Sequence, residues 1–188
     1  QFVCPLGVSS HLEKWGFQPG QIHEGDWYDE IRLGEDFSVH VLPSQHFSGR
    51  SLTRNQTEWC GFAFLTPTHH VYCSGDGGYG SHFAEIGRRF AGVGGFDLAL
   101  MENGQYNEDW AKIHMFPEQS AQAAAEVGAR AALPMHDGKF ALARHTWQEP
   151  FERFTAAAAD YDYACYTPML GQTVPIGVPG QSFVPWWR

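Results

Sequence analysis

Three short strings in this chain end in side chains able to bind a divalent metal. His46 closes VHVLPSQH, Asp76 follows VYCSG, and His136 closes ALPMH. Each stands at the end of an apolar, strand-like run and opens a loop of small residues, where a sheet scaffold presents its functional groups. Imidazole and carboxylate without thiolate suit an open zinc, manganese or iron site better than a closed structural zinc site. Taken singly the signals are weak. A histidine after a strand is commonly structural, and an aspartate in SGDGG also serves a tight turn whose glycines take positive φ.

The elements that would position these residues are readable from pattern. Glu30–Leu33 and Phe37–Leu42 read as a hairpin turned by Gly34-Glu35-Asp36. Trp59–Leu65 and His70–Cys73 read as the next two strands, and glycine-rich 74–80 leads into a helix over Ser81–Phe90. Phe96–Met101 is a continuous apolar strand, followed by a long loop. Pro117 opens a helix over Pro117–Ala129, Ala131–Met135 is a buried strand, and Pro150–Ala158 is helical. Short strands are expected at Ala164–Thr167 and Thr173–Ile176, and a short helix at Ser9–Trp15. Antiparallel strands followed by strand–helix alternation predict an α/β (α+β) layered domain over residues 1–176, with an irregular tail at 177–188.

Composition narrows the function. A chain of 188 residues with 43% hydrophobic content is one domain with a real core. Its net charge of −9, with no basic run, opposes a role in tracking nucleic acid. No stretch reaches the roughly 20 apolar residues of a membrane helix, and no signal peptide is visible at QFVCPLGVSSHL. Cys4, Cys60, Cys73 and Cys165 form no CxxC pair and read as buried free thiols. The expected compartment is the cytoplasm.

The strings SQHFSGRSLTRNQTEWCGFAF, YCSGDGGYGSHFAEIGRRF, FDLALMENGQY, IHMFPEQSAQAA and LPMHDGKFALA occur in that order. Together they resemble the metallo-β-lactamase-fold hydrolases. The branch is that of N-acylphosphatidylethanolamine-hydrolysing phospholipase D and the ascorbate-6-phosphate lactonase-like proteins. The resemblance runs from Val3 to Pro175 and implies the C-terminal portion of an αββα sandwich. It also implies a two-metal centre with zinc, manganese or iron. His46 would complete the ligands of one metal, Asp76 would bridge both, and His136 would complete the second. His114, in IHMFPE, matches a loop histidine near substrate; a cap on the Pro117 helix is the other reading of it. Arg50 and Lys139 flank the ligand loops and suit an anionic substrate. Tyr106, like Tyr79, is a candidate pocket wall, and Asp97 a candidate for orienting backbone or a ligand.

One departure stands against this match. The family's His-x-His-x-Asp-His string, which supplies the remaining ligands, occurs nowhere in the chain. The chain therefore reads as the C-terminal part of a longer enzyme. Half a sandwich would leave one sheet face bare, so a homodimer, or association with a chain bearing the missing half, is expected. Two functions stay open. One is metal-dependent hydrolysis of a small anionic phosphodiester, phosphorylated lactone or related ester. The other is a non-catalytic, self-associating fragment with weak or no metal binding.

Overall fold

A computed structural model of the chain describes residues 1–49, 52–140 and 142–188. A seven-stranded sheet forms its centre. The strands are β3 (Glu30–Arg32), β4 (Ser38–Leu42), β5 (Gly61–Leu65), β6 (His70–Cys73), β7 (Leu98–Glu102), β8 (Ala131–Met135) and β9 (Ala164–Cys165), in spatial order β3-β4-β5-β6-β7-β8-β9. Pairing is antiparallel from β3 to β6 and parallel from β6 to β9. A separate two-stranded parallel sheet joins β1 (Phe2–Pro5) to β2 (Ile22–Gly25) around the short helix α1 (Ser9–Lys14).

Parallel strands need crossovers, and helices supply them here. α2 (His82–Phe90), α3 (Pro117–Glu126) and α4 (Glu149–Ala158) connect β6 through β9. α2 buries Phe83, Ile86 and Phe90, spaced for one helix face. α3 buries Ala121, Ala123 and Ala124, small side chains that let it lie close to the sheet. These side chains form one core with Ala63, Tyr72, Ala99, Met101 and Ala132 on the same sheet face.

The opposite face is apolar too. Register places Val41, Phe62, Cys73, Leu100 and Leu133 in one row, and Val39, Phe64, Val71 and Leu98 in the next. A strand buried on both faces reads as a continuous apolar run, which is why FDLAL shows no alternation. Gly25 of β2 covers this face at Val41, and Val174, Ile176 and Phe183 cover it at Leu98. Between those covers Phe62, Phe64, Val71, Cys73, Leu100 and Leu133 stay half-exposed.

The structure corrects the sequence reading in three places. Thr173–Ile176 forms no strand; Pro175 lacks a ladder donor, and Val174 and Ile176 pack onto the sheet without pairing. The strand read at Phe96–Met101 is shifted to Leu98–Glu102, which brings an acidic residue into the ladder. β1 and β2 lie in a stretch that showed no pattern. All four cysteines are free. Among the described residues, no helix is long and apolar enough to cross a membrane.

Candidate metal centre

β4, β6, β7 and β8 all point their carboxyl ends to one edge of the sheet, the side where open α/β sheets hold their ligands. His46 lies four residues beyond β4, Asp76 three beyond β6, and His136 directly after β8. Glu102 is the last residue of β7. Ser44 Oγ donates to the Asp76 carbonyl at 2.8 Å, and Gly78 N donates to Gln45 O at 2.8 Å, so the first two loops are tied together. Gly78 has to be glycine: a Cβ there would collide with the Lys112 backbone.

Glu102 organises the centre from beneath. Its side chain is fully buried. Its Oε1 lies 3.0 Å from His114 Nδ1 and 3.3 Å from His136 Nδ1, and its Oε2 accepts Met115 N at 2.9 Å. A carboxylate only accepts, so the proton of each imidazole sits on Nδ1 and Nε2 is left free. The His114 and His136 rings stack at 5.3 Å, and His46 meets His114 edge-on at 5.6 Å. His46 Nδ1 donates to Phe47 O at 2.9 Å, which again frees Nε2. The Glu102 hydrogen bond raises the His136 pKa above its ordinary value, against the effect of burial and with help from Asp76.

His136 Nε2 lies 3.4 Å from Asp76 Oδ2. Two ligand atoms each about 2.0–2.2 Å from one tetrahedral zinc lie about 3.4 Å apart. The spacing therefore fits a shared divalent ion. Glu102, His114 and His136 also bring ligand-type atoms within 4.8 Å of one another. Both Glu102 oxygens, however, already accept Nδ1–H or N–H groups. Glu102 is thus placed as the carboxylate behind the imidazoles rather than as a ligand in front of them. The Asp76 side chain is 51% exposed and that of His136 30%, so the centre opens to solvent on this side.

His46, Asp76, His114 and His136 are brought together, and the fold adds Glu102, which the sequence reading left in a loop. Its one available signal was an acid closing the apolar run FDLALM. His114 does not cap α3; the Gln119 side chain accepts from Phe116 N at 3.0 Å and does that work. Lys139 is exposed three residues past His136. Arg50 lies outside the described residues. Tyr106 is buried and its hydroxyl donates to Glu149 at 2.7 Å, so it packs α4 instead of facing substrate. Tyr79 likewise hydrogen-bonds Glu126 at 2.6 Å. Asp97 sits at the far end of β7 from Glu102, accepting from His70 N and Arg130. It orients backbone there, away from the centre.

Asp137, next to His136, carries a pH signature. Burial pushes its carboxyl up from 3.8 to about 6, although the Asn103 amide donates to it at 3.1 Å. The folded state then holds a proton that the unfolded state releases. This contribution to stability is present below the ordinary carboxylate value and is lost as pH rises through about 6. Asp137→Asn keeps an acceptor for Asn103 and removes that loss. Urea unfolding of metal-free protein should show the variant more stable by up to about 3 kcal/mol at pH 8, with the gain gone at pH 4. An equal gain at both pH values would refute the assignment.

These groups gather at the carboxyl edge of the sheet in an α/β fold, and their spacing suits a divalent ion. The sequence profile described as "Beta-lactamase superfamily domain" matches residues 1–136, and the chain belongs to this superfamily. An uncharacterized protein of Mycobacterium tuberculosis is 42% identical over 190 residues, covering all of this chain and 50% of that protein. The outer membrane protein RomA of Klebsiella pneumoniae is 56% identical over 109 residues, which is 58% of this chain and 80% of RomA. The N-acyl-phosphatidylethanolamine-hydrolyzing phospholipase D of Saccharomyces cerevisiae is 30% identical over 185 residues, 92% of this chain and 38% of that enzyme. The chain spans about half the length of the mycobacterial relatives. Igni18, a metallo hydrolase from Ignicoccus hospitalis, shares the fold with a TM-score of 0.71 at 20% identity, covering 93% of this chain and 67% of its own.

Proposed function

We propose that this chain carries part of a divalent-metal hydrolase centre acting on a phosphodiester, a phosphorylated lactone or a related anionic ester. The observation that supports this best is the 3.4 Å spacing of His136 Nε2 and Asp76 Oδ2, backed by buried Glu102 on the Nδ1 side. His136 and Asp76 would hold one ion, Asp76 would also face a second, and His46 would serve that second ion through Nε2. The bound ions, zinc first and manganese or iron as alternatives, would supply a hydroxide nucleophile near neutral pH and polarise the ester oxygen. His114, held by Glu102 through Nδ1, would take up on Nε2 the proton released by the attacking water and pass it to the leaving oxygen. Lys139, and Arg50 by its place in the sequence, would meet the substrate's negative charge. One relative is described as an N-acyl-phosphatidylethanolamine-hydrolyzing phospholipase D, and another, from Caldivirga maquilingensis, as a metal-dependent hydrolase.

The second reading is a non-catalytic, self-associating fragment with weak metal binding. It is favoured by the ligand count, since among the described residues the imidazoles of His46, His114 and His136 and the Asp76 carboxylate are few ligands for two ions. Metal analysis of the purified chain, joined to hydrolysis of bis-p-nitrophenyl phosphate with added zinc or manganese, separates the two. The hydrolase reading expects bound metal and turnover, both reduced at least about 100-fold by His136→Ala. Wild-type chain with neither metal nor turnover would favour the fragment.

A further inference from the structure

The string ENGQY at 102–106 sends each successive residue to a different part of the site. Glu102 holds two imidazoles from beneath. The Asn103 amide donates to Asp137 at 3.1 Å and to Pro150 O at 3.0 Å. Gly104 lies against the His136 carbonyl, where a Cβ would collide. Tyr106 reaches α4. Gln105 serves the loop after His136, which is described at residues 137–140 and 142–147. Its Nε2 donates to Phe140 O at 2.7 Å, and its Oε1 accepts Leu142 N and Ala143 N, both at 2.9 Å. Its own N–H donates to His145 Nε2 at 3.0 Å, while His145 Nδ1 donates to Thr146 O at 2.8 Å, so one tautomer satisfies both.

Gln105 is itself buried and stands at φ +60°, a left-handed conformation that disfavours a non-glycine residue. Both lone pairs of its carbonyl are used. Such a residue is placed for what it holds. The loop is also braced from outside. Trp186 stacks on Trp147 at 6.1 Å and meets Phe151 at 5.2 Å, and buried Trp187 stacks on Phe151 at 5.2 Å. Gly138 sits directly against Phe151. A loop fixed at this many points still presents Lys139 and Phe140 to solvent, and among the described residues Lys139 has no carboxylate partner, only the Phe140 ring 5.3 Å away.

We propose that this loop is a preorganised wall of the substrate site, and that Gln105 is the positioning residue that holds it so that Lys139 meets an anionic ester with an apolar arm. Gln105 would then govern substrate binding and leave the metal ligands alone, because among the described residues its side-chain and N–H bonds go to Phe140, Leu142, Ala143 and His145 and none to His46, Asp76 or His136. Ordering a loose loop on binding costs affinity, so its release appears in KM. The substrate part of this inference rests on the hydrolase reading; the loop part does not.

The test uses Gln105→Ala in the whole chain. Hydrogen exchange in peptides spanning 138–147 should quicken at least tenfold, with α3 unchanged. KM for bis-p-nitrophenyl phosphate should rise at least fivefold, with kcat and cobalt affinity each within threefold of wild type. Lys139→Ala should raise KM similarly and add little on top of Gln105→Ala. Gln105→Glu keeps the acceptor for Leu142 and Ala143 and should restore part of the protection; it also carries the test if the alanine variant folds poorly. Unchanged exchange, or kcat and cobalt affinity falling together with the rise in KM, would overturn the proposal. Should the wild type show no turnover, inorganic phosphate binding by calorimetry replaces KM. Weaker phosphate binding by the variant then supports the proposal, and equal or undetectable binding by both proteins overturns it.

Discussion

Glu102→Gln should lower both metal affinity and hydrolysis by about 100-fold, the upper range for loss of a carboxylate behind a metal-binding histidine. The size follows from how its two oxygens are used. Oε1 faces the Nδ1–H groups of His114 and His136, and Oε2 faces Met115 N–H. A glutamine has one oxygen and one NH2. Whichever way its amide turns, a donor is set against a donor, either at Met115 or at both imidazoles. The buried N–H left unpaired costs about 1–3 kcal/mol. If the amide turns its NH2 toward the histidines, their Nδ1 atoms become acceptors and the protons move to Nε2, which removes the lone pairs needed for metal. Cobalt titration beside urea unfolding checks this. A fall in stability with cobalt affinity unchanged would mean that Glu102 supports only the fold.

How much of this was legible beforehand depended on where each signal sits. His46, Asp76 and His136 each close an apolar run and open a small-residue loop, so local pattern made them candidates, and the fold brings them to one edge of the sheet. Glu102 did not stand out because its partners are 12 and 34 residues away, and no local rule distinguishes a buried acid at a strand end from one that starts a loop. Gln105 was hidden in the same way, since its role lies in bonds to residues 35 to 40 positions later. For Asp97 the structure bears out the backbone reading, since it accepts from His70 N, and not the ligand reading. It stands just before β7, at the opposite end from Glu102, and which strand end meets the site is set by pairing with neighbours rather than composition. Tyr106 was read as a pocket wall on residue type alone; the Glu149 and Arg153 side chains draw it inward, with the Arg153 guanidinium 5.0 Å from its ring. The helices and central strands were readable because their apolar spacing and their proline and glycine boundaries are local. Thr173–Ile176 had strand composition, but pairing there would have to run through Pro175.

The half-covered sheet face leads to the other large expected effect. Phe62 and Phe64 lie on the interior strand β5, beside Val71, Cys73 and Leu100, with β2 covering one flank and the 174–183 segment the other. Gln1 and Val3 reach Phe62 and Phe64 from the β1 side, and among the described residues both phenylalanines stay partly exposed. Burying one phenylalanine side chain returns about 1.5–3 kcal/mol, so this face favours association of the isolated 188-residue chain with a second copy. Light scattering at micromolar concentration should give at least twice the 21.1 kDa chain mass. Phe64→Glu should restore the single-chain mass. A glutamate at that contact would be buried without a partner, and in a two-fold dimer the substitution counts twice, which together weakens association by roughly 1000-fold or more. The same substitution should leave the metal centre intact, because Phe64 stands on the face away from the helices, near the end of β5 remote from residue 61, whereas the ligands stand beyond the Leu42–Gly61 edge. A wild-type chain that is already a monomer would remove the basis for this expectation. A Phe64→Glu variant that stays associated would place the contact on some other surface.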